Sequence, residues 1–149
     1  MLVTSLSVII IIIICGLIVL VIPKINDTKT KVALSLSHLA ELPKITTNLQ
    51  VGNNKDSSSK IIYLKFTASK EDINNFINNS DGLKNSKPNS FNYEEWKHQY
   101  DYIFKEFSWF NPKSNSGIIY EIHEDENRNN GILIVDNSIN TVYLRIEHK

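Results

Sequence analysis

Three stretches toward the C-terminus decide the fold: Gly117-Ile118-Ile119-Tyr120-Glu121-Ile122-His123, Gly131-Ile132-Leu133-Ile134-Val135-Asp136 and Asn140-Thr141-Val142-Tyr143-Leu144-Arg145-Ile146-Glu147. In the first, Ile118, Tyr120 and Ile122 fall on every second residue, as do Val142, Leu144 and Ile146 in the last. Glu121, His123, Tyr143, Arg145 and Glu147 lie between them. A period of two puts alternate side chains on opposite faces of a sheet. Polar residues separate the runs, so the reading is a three-stranded antiparallel meander with one face in the core and the other in water.

Upstream, Ile45 to Val51 and Ile61 to Thr67 carry the same strand character, and the polar stretch Gly52 to Lys60 suits the loop of a hairpin. Between hairpin and meander lie two helix starts. Ser69 precedes Glu71 and Asp72, and a hydroxyl three residues ahead of a carboxylate can satisfy the free amides of a first helical turn. Ile73, Phe76 and Ile77 then share one helical face, and Asp81-Gly82 offers a left-handed exit. Asn92 with Glu95 opens a second segment, where Trp96, Tyr100, Ile103, Phe104 and Phe107 again share a face. The expected architecture is α+β: an antiparallel sheet of about five strands, two N-terminal and three C-terminal, with one or two helices on one face. This domain is expected over residues 45–149, enough chain to bury a core of its own. Residues 24–44, whose leucines fit neither a strand nor a helix period, read as a tether.

Leu2 to Ile22 holds 21 residues without a charge, including isoleucine at every position from Ile9 to Ile14. A helix of that length spans roughly 30 Å of hydrocarbon, so residues 1–23 read as a single transmembrane anchor whose partner is the lipid bilayer along residues 2–22. A cleaved signal peptide would need a basic start, a shorter apolar run and a small-residue cleavage site, and the sequence has none of them. Cys15 raises acylation as an alternative, but Ile14 stands where a lipoprotein signal wants a small residue. No Lys or Arg precedes the run whereas Lys24, Lys29 and Lys31 follow it, which by the positive-inside rule leaves the domain in the cytoplasm.

Sixteen basic residues balance sixteen acidic ones, so the electrostatic footprint of a nucleic-acid binder is missing. A lone cysteine excludes a disulfide scaffold and a cysteine zinc cluster. His38, His98, His123 and His148 lack metal-ligand spacing, and no G-x-S-x-G elbow or glycine-rich phosphate loop is present. Asp125, Asn127 and Asn129 are spaced like calcium-loop ligands with Asp136 twelfth, but Asn130 stands where the turn wants glycine. A polar hairpin turn is the expected reading, and neither metal nor cofactor is expected. Two binding surfaces are. Trp109 and Phe110, next to Asn111-Pro112, should straddle a turn with one ring inward and the other projecting toward a protein partner or membrane interface. Tyr143 and Arg145 stand on the sheet face read as wet.

Leu42-Pro43 to Val51, Leu64-Lys65-Phe66-Thr67-Ala68-Ser69 running into a helix, Trp109-Phe110-Asn111-Pro112, and Ile134-Val135-Asp136 with Thr141-Val142-Tyr143-Leu144 resemble a family of small uncharacterised bacterial exported proteins, often lipoproteins. The resemblance covers roughly residues 42–147. It implies a one-domain ectodomain at the outer face of the plasma membrane, against the charge rule, and no activity. The expected function is a single-pass, non-catalytic module that binds another protein or an envelope component. An immunity or inhibitor protein acting against a toxin or phage, and an envelope hydrolase, are the alternatives.

Overall fold

The structure, a computed structural model, describes residues 27–54, 60–112, 114, 116–124 and 129–148. The apolar run 2–22 and the calcium-spaced Asp125 and Asn127 lie outside the described residues. Among the described residues no helix is long and apolar enough to cross a membrane.

The fold is α+β. In chain order it comprises a helix over 27–36 (α1), β1 (Thr47–Asn53), β2 (Lys60–Thr67), α2 (Lys70–Asn78), a 3-10 turn (Asp81–Leu83), β3 (Asn89–Phe91), α3 (Tyr93–Lys105), β4 (Gly117–Glu124), β5 (Asn129–Asp136) and β6 (Thr141–His148). The strands form one antiparallel sheet in the order β1-β2-β6-β5-β4-β3. Hairpin and meander appear where the alternation puts them. They join through β2 and β6, which pair from Lys60↔His148 to Thr67↔Thr141 without a break. A sixth strand, β3, exceeds the expected five. It has three residues after Pro88, too few for a period to register.

Both predicted caps form. The Ser69 hydroxyl accepts from the Asp72 amide at 3.1 Å while donating to the Asp72 carboxylate at 2.7 Å, and Asn92 accepts from the Glu94 amide at 3.0 Å. The expected glycine exit from α2 does not. Gly82 has an ordinary negative φ, the helix closes at Asn79, and the amide of Gly82 donates to the His38 carbonyl at 2.9 Å. A Cβ at Gly82 would lie 2.0 Å from the Ser37 carbonyl oxygen, so glycine serves close backbone approach here.

One sheet face carries Ile62, Leu64 and Phe66 of β2, Val142, Leu144 and Ile146 of β6, and Leu133 and Val135 of β5. Over it pack Ala33 and Leu34 of α1, then Leu39, with Ile73 and Phe76 of α2 and Leu83 of the 3-10 turn. Phe66 meets Phe76 edge to face with centroids 5.3 Å apart. The segment expected to be a tether is thus largely part of the core. Thr30, Ala33, Leu34 and Ser37, all buried, recur at i, i+3, i+4 and i+7. The Ser37 hydroxyl returns to the Ala33 carbonyl at 2.6 Å, and the Asn129 side chain donates to the Leu36 carbonyl at 3.0 Å.

The opposite face, expected to be wet, is also covered. It presents Ile61 and Tyr63 of β2, Tyr143 of β6, Ile134 of β5 and Ile119 of β4, and α3 lies over it with Ile103 and Phe104 buried. Helices therefore cover both faces, not one. The physical reason is that tyrosine and arginine carry apolar bodies or stems beneath polar tips, so a strand row containing them can sit under a helix.

Candidate interaction surface

The residues singled out in the sequence fall mostly inside this second layer. Phe110 is 0% exposed and Tyr143 2%. Phe110 packs edge to face on both Tyr63 and Tyr143, at 5.0 and 5.5 Å between centroids. Burial, with the Asp136 carboxylate adding to it, pushes the Tyr143 phenol up to about 12. Trp109 is half-buried and stacks on Phe107 at 5.1 Å, so the pair does straddle a turn with Phe110 inward. Arg145 is 9% exposed. Its guanidinium lies 5.9 Å from the Tyr63 ring centroid and donates to Glu147 at 3.0 Å. Tyr143 and Arg145 do not form a solvated surface: Tyr143 packs with α3 and the Phe107–Phe110 turn, and Arg145 lies against Tyr63 and Glu147.

The exposed apolar chemistry lies elsewhere. β1 is an edge strand whose outer side has no partner among the described residues. From Ile45 to Asn54 the chain carries no charge and no proline. Ile45 is 77% and Leu49 41% exposed. A bulge between Thr47 and Gln50, with Asn48 at φ 51°, twists the start of the strand, and regular pairing with β2 resumes at Gln50. Edge strands are commonly guarded by Lys, Pro or extreme shortness. The opposite edge, β3, has the third of these guards and follows Pro88. β1 has only the bulge. Sequence reasoning passed over this surface although its signal, ten residues free of charge, was in the chain.

Beyond the end of β3, Glu121 and His123 of β4 line an open polar cleft of about 340 Å³ with Gly82, Asn85, Ser86, Lys87 and Asn89. His123 Nε2 stands 3.2 Å from the Glu121 carboxylate and Nδ1 3.4 Å from Asn130 Oδ1, both exposed. Neither Glu94 nor Glu95, exposed on the first turn of α3, belongs to this cleft. Among the described residues no three His, Cys, Asp or Glu side chains gather as metal ligands. Asn129 and Asp136 occupy opposite ends of β5, roughly 20 Å apart at the rise of a strand. Asp136 is buried and accepts from the Ser138 amide and hydroxyl at 3.0 and 2.6 Å. A twelve-residue calcium loop closing on Asp136 is incompatible with that geometry.

No family model matches the chain, and neither a curated protein nor a solved structure does.

Proposed function

We propose that the chain is a single-pass membrane protein whose α+β domain, held at the outer face of the plasma membrane by residues 2–22, binds a protein partner through the free edge of β1 without catalysing a reaction. The reading is supported by the uncharged edge Thr47–Asn53 with its exposed Leu49 beside Ile45. An extended partner segment added there gains main-chain hydrogen bonds, and alternate side chains supply selectivity. The anchor raises the local concentration of the domain near partners at the same membrane.

Photo-crosslinking from position 47 in the full-length membrane-embedded protein tests this. A discrete adduct is expected, lost on Leu49→Lys, while membrane association and the melting temperature stay unchanged because position 49 is exposed. An adduct that persists in Leu49→Lys overturns the edge as the contact. A reporter active only outside the cytoplasm, fused after Lys149, is expected to be active, and silence in a stable fusion overturns the placement.

The Glu121–His123 pair in its cleft favours one second reading, an envelope hydrolase using histidine as general base. Hydrolase turnover abolished by His123→Ala would replace the binding reading with this one.

A further inference from the structure

We infer that the notch between α1 and the β1–β2 hairpin is a docking site for the anionic headgroups of the bilayer, so that the domain lies directly against the membrane and does not hang from a tether. The inference rests on the anchored reading above and adds the orientation of the domain and the lipid chemistry it meets.

Chain length is the first support. Residue 27 is already helical and α1 is packed into the core, leaving four residues, 23–26, and so five Cα–Cα steps between Ile22 and Asp27. Fully extended, these reach at most about 18 Å. Whatever surface surrounds the start of α1 is therefore held near the headgroups.

That surface has matching chemistry. Thr28, Lys29 and Val32 of α1 face Asn53, Lys60 and Ile62 of the hairpin around a notch of about 210 Å³. Val32 and Ile62 form an apolar wall, and the two lysines flank it. Neither Lys29 nor Lys60 forms an ion pair among the described residues, whereas Lys31 is already held by Asp27 at 2.9 Å. Residues 24–31 contribute three lysines against one aspartate. Two ammonium groups beside a small apolar wall fit a phosphodiester with the first carbons of its glycerol, and basic residues beside a span are drawn to anionic lipid. The lysine stems can lie along the wall while their charged ends reach the phosphate.

The test is lysine footprinting with a membrane-impermeant amine reagent on the full chain, reconstituted into phosphatidylcholine vesicles with and without phosphatidylglycerol. Exposed Lys70 and Lys87 serve as internal references. With phosphatidylglycerol, Lys29 and Lys60 should react several-fold more slowly, and raised salt should remove the difference. Equal reactivity in both lipids, in protein that floats with the vesicles, overturns the docking site. Failure to float overturns the anchor itself, a separate outcome. Protection by inorganic phosphate equal to that by the anionic vesicle overturns a membrane-specific contact. In the doubly substituted Lys29→Gln, Lys60→Gln chain, the salt-sensitive difference between the two vesicles in amide exchange of α1 should vanish. Its persistence would also overturn the proposal.

Discussion

Gly82 sits where a methyl group would enter the Ser37 carbonyl, and that carbonyl is backbone, fixed by the end of α1. Relief requires moving the 3-10 turn away from α1, which strains the Gly82–His38 hydrogen bond. Gly82→Ala is expected to destabilise the domain by about 2–3 kcal/mol, read from the urea midpoint at constant slope. Tyr143 gives a pH signature instead. Its folded phenol titrates near 12 and an unfolded one near 10. Between those values the unfolded chain releases a proton that the folded chain keeps, so the stability present below pH 10 is lost as pH rises through 12. The Tyr143 share of the decline should be about 2 kcal/mol, so Tyr143→Phe should show a decline smaller by that amount, checked by urea unfolding at the two ends of that window. Tyr63 adds the same sign, because burial raises its phenol and the neighbouring Arg145 only partly opposes this. Its ring lies edge to face with Phe107, 5.2 Å between centroids, and this contact helps seat the Phe107–Phe110 turn.

Elements were readable where their signals are local. The caps at Ser69 and Asn92 each use a side chain within three residues of the amide it satisfies, so residue type and spacing alone located α2 and α3. Ser69→Ala should cost about 1 kcal/mol and selectively raise amide exchange in the first turn of α2. α1 escaped the same reading because its buried stripe is Thr30, Ala33, Leu34 and Ser37, only one of them a large apolar residue. The conspicuous leucines at 39 and 42 fall after the helix has ended. Small residues there let the helix approach the sheet closely, and a periodicity based on large hydrophobes does not register them. The covered second face was misread for the converse reason: Tyr143 and Arg145 alternate with Val142, Leu144 and Ile146 as solvent-facing residues do. Only the aromatic cluster above them, Phe104, Phe107 and Phe110, says that this row is roofed. That cluster was legible as core, but not which sheet face it would cover.

At the scale of the molecule, α1 makes the domain begin earlier than a strand count suggests. A chain starting at Ile45 leaves Ile62, Leu64 and Ile146 without the cover of Ala33 and Leu34. It should lose cooperative thermal unfolding by circular dichroism, whereas a chain starting at Asn26 should melt in one transition. Candidate surfaces were less legible than the fold, since exposure is a property of the assembled sheet: Leu49 is exposed on an edge strand while Tyr143 is buried in a central one, and only strand order separates an edge from a centre. The same order governs how the molecule is made. β6, the last of the described strands in chain order, is inserted between β5, which directly precedes it, and β2, which leaves the ribosome much earlier. Until residues 141–148 are available the hairpin and the remaining strands have no shared border, so vectorial folding stalls at two unjoined halves and a late frameshift is as damaging as an early one.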